Sequence, residues 1–224
     1  MYSERASMFP HVIAWRSGTP PGAPAKRVLP DGCLDVIWQE GAVFVAGPDT
    51  AARVVATGAG GRCFALRFGA GTGPGVVGLP ADELTDRQVP LDALWPAAEV
   101  RRLAEAADPP AALEAAVRRR WRDPDRAMVD LVAQARAGRA VATIADRLGL
   151  SPRQLQRRCN AAFGYGPKTL ARVFRLQRAV GLARAGTAFA AVSAGAGYAD
   201  QAHLAREMRA MAGLPLGELL SRAS

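Results

Sequence analysis

The fold is decided by a stretch that occurs twice, first as SPRQLQR at Ser151–Arg157 and again, 49 positions later, as DQAHLAR at Asp200–Arg206. In each copy a residue that can cap a helix is followed four positions later by Leu and six positions later by Arg. A glycine follows each copy in register, at Gly164 and Gly213. Each copy predicts a helix, a tight turn and a second helix. Two such helix-turn-helix units can read two neighbouring segments on one face of DNA.

The positive charge of the chain is confined to the part that holds the repeat. The whole sequence has 29 Lys and Arg against 20 Asp and Glu, a net charge of +9. Residues 1–137 carry 16 basic and 16 acidic residues, whereas residues 138–224 carry 13 basic and 4 acidic residues. A compositional bias towards Arg would not leave the first part neutral. Because localised positive charge attracts polyanions, the distribution predicts nucleic acid as the partner of the C-terminal part.

The first part of the chain has the pattern of a β-rich domain. Short runs rich in Val, Ile, Phe and Trp alternate with clusters of Gly, Pro and Asp, which is typical of a sandwich or small barrel. A helical turn is expected at Pro80–Leu84. The predicted strands are Phe9–Arg16, Leu34–Gln39, Ala42–Ala46, Arg53–Thr57 and Arg62–Phe68.

A helical connector is predicted between the two parts. Residues 96–107 and 111–121 have helical patterns, and Asp108-Pro109-Pro110 separates them because proline cannot continue a helix. Residues 122–125 are the expected linker. We therefore predict an α+β chain with three parts. These are a β-rich regulatory, effector-binding or dimerising domain at 1–95, a connector at 96–124 and an all-α double helix-turn-helix domain at 125–224.

The sequence of the C-terminal part predicts seven helices. The start of the third helix has the clearest capping signal. Ser151 is a strong N-cap, and Gln154 completes a capping box with it. Leu155, Cys159 and Phe163 recur at helical spacing and are expected to face the core. The expected helices lie at 125–137, 141–148, 152–163, 167–185, 188–196 and 201–212, with a short one after Pro215.

The outward faces of the second helix of each unit supply the candidates for reading DNA. An α-helix fits the major groove, where Arg can bond guanine and Gln can bond adenine through two hydrogen bonds, each pair contributing about 1–3 kcal/mol of discrimination. The alternative for any one of these arginines is an ordinary exposed side chain. The candidates for base contacts are Arg153, Gln156, Arg157, Gln201, His203 and Arg206. The candidates for phosphate contacts, which fix register without reading sequence, are Ser151, Arg172, Arg175, Arg178 and Arg209.

The spacing of the two units predicts which grooves of DNA they enter. Two recognition helices joined by a long helix can enter successive major grooves, about 34 Å or ~10 base pairs apart. The second unit has Ala202 and Ala205 where longer side chains could stand. We therefore expect it to bind more weakly and to tolerate more sequence variation than the first.

Signals of an enzyme are weak in this sequence. Residues Gly73–Gly78 match G-x-G-x-x-G, but a dinucleotide fingerprint needs a strand, a loop and then a helix, so we expect a hairpin loop there. The two histidines, His11 and His203, have no metal-ligand spacing around them, and we expect no cofactor and no metal. Cys33 is the one candidate nucleophile. With no base identifiable beside it, a small core residue is the simpler interpretation.

The sequence lacks the marks of a membrane or secreted protein. No apolar run approaches the roughly 20 residues of a membrane span, and residues 1–5 lack the pattern of a signal peptide. Three scattered cysteines do not make a disulfide framework. We therefore expect a cytoplasmic, nucleoid-associated protein without a membrane partner.

The repeated region resembles the AraC/XylS family of bacterial transcription regulators. Ile144–Arg157, followed by Phe163-Gly164 and Pro167, looks like the family's first helix-turn-helix. Ala194–Arg206, followed by Gly213-Leu214-Pro215, resembles its second signature. The resemblance covers about the last hundred residues.

The resemblance also carries roles to particular positions. It implies that Arg153, Gln156 and Arg157 face the first groove and that Gln201, His203 and Arg206 face the second. Two positions depart from the family pattern. Met208 stands where the family usually has Phe, and Leu219-Leu220 replaces the usual Tyr-Arg.

The N-terminal part is similar to a less-studied sensor domain found on some of these regulators. The resemblance implies a β-rich, cupin-like domain that binds an effector, mediates dimerisation, or both. It lacks the His clusters of metal-binding cupins. If a pocket exists, we expect Trp15, Arg27, Asp35 and Trp38 to supply its aromatic walls and polar anchors, the alternative being that both Trp side chains are core. The matching segments are Leu29–Asp35, Val45–Thr50, Leu84–Asp86 and Leu91–Trp95.

These observations together predict a sequence-specific transcriptional regulator that is not an enzyme and whose N-terminal domain responds to an effector. The expected partners are double-stranded DNA, a small-molecule effector, RNA polymerase and a second copy of the chain. Two alternatives stay open. One is a constitutive DNA binder whose N-terminal domain only dimerises, and the other is a DNA-alkylation repair protein in which Cys33 accepts the alkyl group.

Overall fold

The N-terminal part folds as a six-stranded antiparallel sheet with a two-stranded ribbon. The computed structural model describes residues 2–18, 25–55 and 61–221. The strands are β1 Tyr2–Ala6, β2 Val12–Gly18, β3 Lys26–Val28, β4 Leu34–Gln39, β5 Ala42–Ala46, β6 Arg53–Val55, β7 Arg62–Phe68 and β8 Gln88–Pro90. The order in the sheet is β1-β2-β7-β4-β5-β8, and β3 pairs with β6 in the ribbon.

Three of the predicted strands, β4, β5 and β7, have the predicted limits. Strand β2 begins later than predicted, at Val12, because His11 has a φ of 61° and lies in a turn. Strand β6 ends at Val55, and the last two residues of its prediction lie outside the described residues. Strands β1, β3 and β8 were not predicted, since they are short, polar or exposed and their pairing depends on distant strands.

One face of the sheet carries the apolar core of the N-terminal part. Val36, Val45, Leu66 and Phe68 are fully buried there, each at 0% exposure. The same cluster includes Leu113 and other side chains from the helices that follow the sheet. Burial of each such side chain contributes about 1.5–3 kcal/mol. These helices are α1 Pro74–Val77, α2 Ala97–Ala104 and α3 Pro109–Arg120, with 3₁₀ turns at Ala81–Glu83 and Leu91–Ala93.

The predicted break between two helices is present, but the second helix begins at Pro109 and not at residue 111. Proline is tolerated at the first helical position because the amide hydrogen that it lacks would have no partner within the helix. The side chain of Asp108 caps this helix by accepting a hydrogen bond from the Ala111 amide, at 3.1 Å. The expected hairpin loop at Gly73–Gly78 is instead the short helix α1, which ends at Gly78 with a φ of 91°.

Between residues 125 and 221, the structure has seven helices, as the sequence predicts. Their apolar faces share one core, in which Leu131, Ile144, Phe163, Leu176 and Met208 are fully buried, each at 0% exposure. Met208 therefore fills a core position in spite of its departure from the family pattern. The helices are α4 Arg126–Arg136, α5 Val141–Arg147, α6 Pro152–Phe163, α7 Pro167–Arg184, α8 Phe189–Ala196, α9 Gln201–Ala212 and α10 Leu216–Ser221.

The connector is packed rather than extended between the two parts. Helices α2 and α3 bury their apolar side chains in the cluster that covers the sheet. Direct bonds also join the two parts: Gln177 Nε2 on α7 donates to the carbonyl of Pro30, at 2.5 Å. The division at 1–95, 96–124 and 125–224 stays a prediction.

Candidate nucleic-acid interface and sensor cavity

The first helix-turn-helix unit is formed by α5 and α6, with a glycine in the turn. Gly149 has a φ of 66°, a conformation that glycine adopts without steric cost. The predicted capping box is present: Ser151 Oγ accepts from the Gln154 amide at 3.3 Å, and Gln154 Oε1 accepts from the Ser151 amide at 2.9 Å. Leu155 and the two further predicted core residues of α6 are buried. The box therefore fixes where the exposed face of α6 begins.

The predicted base-contacting side chains of α6 lie on its exposed face. Arg153 and Arg157 are exposed, and neither has a hydrogen bond or ion pair with any residue that the structure describes. Gln156 is also exposed, but its Nε2 donates to Asn160 Oδ1 at 2.9 Å. A Cβ atom built on Gly166 would meet the Gln156 amide, so this side chain rests against the turn before α7. Of the three, the two arginines are the freer.

The second unit repeats this arrangement with α8 and α9. Gly197 forms the turn with a φ of 85°. Asp200 Oδ1 caps α9 by accepting from the His203 amide at 2.6 Å. Gln201 and Arg206 are exposed along α9. The sequence repeat therefore corresponds to a structural one.

The side chain of His203 contacts other residues of the chain, whereas the sequence predicts an outward-facing side chain. It is half-buried, and its ring meets the ring of Tyr198 edge-on, with centroids 5.2 Å apart and planes at 88°. Its Nδ1 accepts a hydrogen bond from the Ala199 amide at 3.4 Å. This bond leaves Nε2 as the ring nitrogen that can donate outward.

Two of the predicted phosphate contacts already have partners within the chain. Arg172 Nε pairs with Glu207 Oε2 at 2.8 Å, between α7 and α9. Arg178 donates to the carbonyls of Ala135, Arg136 and Ala196, at 2.9, 3.0 and 3.2 Å. Since the last carbonyls of a helix lack partners within it, Arg178 satisfies the ends of both α4 and α8. This is a structural role that the sequence analysis missed.

The other predicted phosphate contacts are more available. Arg209 is exposed, and its side chain makes no hydrogen bond or ion pair within the described ranges. Arg175 lies over the ring of Tyr198, with its guanidinium carbon 5.3 Å from the ring centre. Ser151 is exposed, although its hydroxyl already caps α6. Exposed basic side chains that the prediction passed over include Arg147, at the end of α5, and Lys168, in the first turn of α7.

A cavity of about 180 Å³ lies between the second face of the sheet and the ribbon. Lys26, Val28, Arg53 and Val55 line it from the ribbon. Trp15, Ile37, Phe44 and other side chains line it from the sheet, together with Tyr2 of β1. Its walls combine aromatic and aliphatic side chains with several charged ones, and small-molecule sites likewise join apolar walls to placed polar groups.

The structure places Trp15 and Asp35 in this cavity but not the other two predicted residues. Trp38 lies on the opposite face of the sheet, where its Nε1 donates to the carbonyl of Ala104 at 3.2 Å. Successive side chains of a strand point to opposite faces, so Asp35 and Trp38, three positions apart, cannot share one. Arg27 points away from the cavity and reaches α9. These two assignments are corrected accordingly.

The polar centre of the cavity consists of Trp15, Asp35 and Arg67. Asp35 Oδ1 accepts from Trp15 Nε1 at 2.6 Å and from Arg67 Nε at 3.3 Å. Burial raises the pKa of the Asp35 carboxyl to about 6, although Arg67 and the Trp15 hydrogen bond act in the opposite direction. Arg67 was missed because one arginine in an apolar strand does not reveal which face it occupies.

Cys33 lies beside this centre and lacks the features of a nucleophile. Burial, and then the nearby carboxylates Asp31 and Asp35, raise the pKa of its thiol well above the ordinary value. A reactive cysteine needs the opposite, a thiolate favoured by neighbouring positive charge. Within the described ranges, no three His, Cys, Asp or Glu side chains gather as a metal site requires. Among the same residues, no helix has both the length and the apolar character to cross a bilayer.

Sequence comparisons agree with both halves of this arrangement. Residues 144–222, which begin within α5 and include α6 to α10, match a family model described as a helix-turn-helix domain. A probable AraC family transcriptional regulator from Rhodopseudomonas palustris, known from its crystal structure, is 25% identical over 44% of this chain and 98% of its own, with a TM-score of 0.38. The helix-turn-helix match in residues 144–222 supports a transcription regulator of the AraC/XylS type. A helix-turn-helix domain of this kind supports a DNA-binding transcriptional regulator rather than an enzyme.

The N-terminal part has a match of its own. Residues 11–90 match a model described as a domain of unknown function, DUF6597. No protein among the curated sequences compared with the chain matches it.

Solved structures show the two-part fold along the whole chain. ToxT from Vibrio cholerae bound to (E)-4-(8-methylnaphthalen-1-yl)but-3-enoic acid is 8% identical, covers 100% of this chain and 99% of its own, and has a TM-score of 0.52. ToxT bound to an unsaturated fatty acid is 9% identical over 96% of this chain and 97% of its own, with a TM-score of 0.50. At these identities the likeness establishes only the architecture: an antiparallel sheet followed by a helical DNA-binding domain.

Proposed function

We propose that this regulator reads DNA with α6 and α9 in successive major grooves of one duplex. The observation that carries the proposal is that both helices are capped at their N-terminal ends by a side chain, Ser151 in one and Asp200 in the other, and present exposed Arg and Gln beyond the cap. The first turns of a helix lying in the major groove are the part that reaches base edges.

Individual roles follow from how each side chain is held. Arg153, Gln156 and Arg157 read the first block of bases, and Gln201, His203 and Arg206 read the second. Arg175, Arg209 and Ser151 contact phosphates. Arg172 and Arg178 support the reading helices from behind, since the side chain of each already bonds within the chain.

Selection of bound sequences from random duplex DNA, with the full chain at one fixed salt concentration near physiological, tests this proposal. Salt must be fixed because phosphate contacts make affinity strongly salt-dependent. We expect two short enriched blocks ~10 base pairs apart. Enrichment of one block would limit base reading to one unit, and binding without enrichment that salt abolishes would contradict sequence-specific reading.

We further propose that the cavity binds a small-molecule effector that alters DNA binding. The cavity has aromatic walls and a few converging polar groups, as ligand sites do. The similar fold of ToxT holds carboxylic acids. These acids are the first compounds to test in a thermal-shift screen, followed by wider classes. If no compound changes either the affinity for the selected DNA or the oligomeric state, the proposal is wrong.

The alternatives have less support. A constitutive binder with a filled, purely dimerising domain does not explain an enclosed polar centre under the ribbon. Repair through Cys33 needs a thiolate, which burial disfavours. An unmodified Cys33 after exposure to methylated DNA, measured by mass spectrometry, would end that idea. RNA polymerase and a second copy of the chain remain expected partners. Light scattering, which gives the mass of the particle in solution, tests for the second copy.

A further inference from the structure

The ribbon that roofs the cavity also contacts the second recognition helix. Lys26 and Val28 of β3 face the cavity. Because side chains alternate along a strand, Arg27 between them points to the other side. Its Nη1 donates to the carbonyl of Ala212, the last residue of α9, at 3.0 Å. One short strand therefore contacts both the cavity and the DNA-binding part.

A second bond joins the ribbon region to the same helix end. The amide of Ala52, next to β6, donates to the carbonyl of Met211 at 2.6 Å. Met211 and Ala212 form the last turn of α9, whose carbonyls lack partners within the helix. A cation is favourable at this end because the helix dipole is negative there. Strand β3 and the residue that precedes β6 thus supply one donor each to the end of α9.

The chain leaves little room at this contact. Gly213, which ends α9, has a φ of 70°. A Cβ atom built on it would lie 3.0 Å from Arg27 Nη1. Glycine at this position therefore permits both the left-handed backbone conformation and the close approach of Arg27.

The first recognition helix is anchored to the N-terminal part at a different place. Thr85 Oγ1, beyond the first 3₁₀ turn, donates to the carbonyl of Gly164 at the end of α6, at 2.8 Å. Thr85 does not line the cavity, whereas both strands of the ribbon do. Each 12-residue helix is about 18 Å long. The N-terminal part therefore contacts the C-terminal ends of both α6 and α9, and the N-terminal ends of these helices, proposed to read DNA, point away from those contacts.

We propose that the ribbon is a clamp on the C-terminal end of α9, through which the contents of the cavity act on the second helix-turn-helix unit and not on the first. The inference rests on the proposed roles of the cavity and of the two units. With the clamp closed, both reading helices are held in one arrangement before DNA arrives. Such preorganisation strengthens binding because less freedom is lost on association. A ligand that displaces the ribbon releases the second unit alone.

The clamp itself is tested without DNA or ligand, by hydrogen exchange in the full chain. We expect Arg27→Ala to speed exchange of the Ala52 amide roughly fivefold or more, because opening of this region becomes easier. Arg16→Ala, which removes an exposed arginine from β2 away from α9, is the matched control and should leave it unchanged. Amides within β4 report that the fold is intact. Equal Ala52 protection in both variants would overturn the clamp.

The consequence for DNA is measured as the gain in affinity that the second block provides. This gain is the ratio of Kd for DNA with the second block scrambled to Kd for DNA with both blocks. We expect Arg27→Ala to reduce the gain about fivefold or more, the lower range of measured coupling factors, and Arg16→Ala to preserve it. If exchange changes but the gain does not, the clamp has no part in DNA reading. If selection yields only one block, the two-groove proposal fails while the exchange result still decides the clamp.

A larger side chain at Ala46, which lines the cavity from β5, stands in for an unidentified ligand. We expect Ala46→Trp to lift the ribbon and reduce the second-block gain as Arg27→Ala does. The double variant should then show no further loss, because both changes break one contact. Ala46→Leu is the smaller substitution if Trp prevents folding. Additive losses of second-block gain in the double variant would show that the cavity does not act through the clamp. Unchanged exchange of the Ala52 amide in a folded Ala46 variant would show the same.

Discussion

Arg157 illustrates how a single exposed side chain can carry specificity. It lies on the outer face of α6 and has no polar partner among the residues that the structure describes. An arginine that bonds guanine through two hydrogen bonds contributes about 1–3 kcal/mol of discrimination.

We therefore expect Arg157→Ala to lower affinity for the selected DNA about 5- to 150-fold and to relax the preference at one base position. Competition binding with single-base variants of the selected DNA, at one salt concentration, measures both effects. Arg102→Ala, an exposed arginine on α2, is the control for loss of charge. A uniform loss across all sequences would reassign Arg157 to phosphate.

Asp35 predicts a pH dependence of stability with a definite sign. Its carboxyl pKa is raised from 3.8 to about 6, chiefly by burial. Because the folded state holds the proton more strongly than the unfolded chain, the contribution of Asp35 to the free energy of unfolding falls as pH rises from about 4 to 6.

We expect Asp35→Asn to lack this decline. Relative to the wild type, the variant should then be more stable at pH 7 than at pH 4 by roughly 1–3 kcal/mol. Urea denaturation across pH 4–8 measures the difference, with Asp130→Asn, exposed on α4, as the control for loss of a carboxylate. Parallel profiles for wild type and Asp35→Asn would contradict the prediction.

At the scale of the element, the capping box determines where α6 starts. Substitution of an N-cap serine by alanine costs about 0.5–2 kcal/mol. We expect Ser151→Ala to lower the free energy of unfolding by about 1 kcal/mol and to weaken binding to the first block more than to the second. Chemical denaturation and binding to block-scrambled DNA measure the two effects. Ser151→Asn, which keeps a capping oxygen, should restore stability, and a failure to do so would remove the cap as the explanation.

The elements also show where sequence reasoning reaches and where it stops. The limits of β4, β5 and β7 and the order of the seven helices could be predicted because alternation, helical spacing and caps are local signals. The roles of Arg178 and Arg172 could not be predicted. Both depend on which helix ends and carboxylates packing brings near, and these are distant in the chain.

At the scale of the whole molecule, the concentration of positive charge in residues 138–224 predicts strongly salt-dependent binding. Each phosphate contact adds about 0.9 to the slope of log affinity against log salt. We expect Arg209→Ala to reduce this slope by about 1 while preserving the selected sequence. Arg101→Ala, exposed on α2, should leave the slope unchanged. Equal slopes for wild type and Arg209→Ala would exclude a phosphate contact there.

The sequence by itself determined the repeat, the caps of α6 and α9, the positive charge of residues 138–224 and the resemblance to AraC/XylS regulators. Each of these depends on short spacings or on composition. The tertiary structure alone decided that Trp15 and Asp35 meet Arg67 in a cavity while Trp38 lies behind the sheet. It alone also decided that Arg27 reaches α9, 185 positions away. The physical reason is that alternation along a strand shows which residues share a face but not what covers that face. The cover is determined by strand pairing and helix packing between residues far apart in the chain.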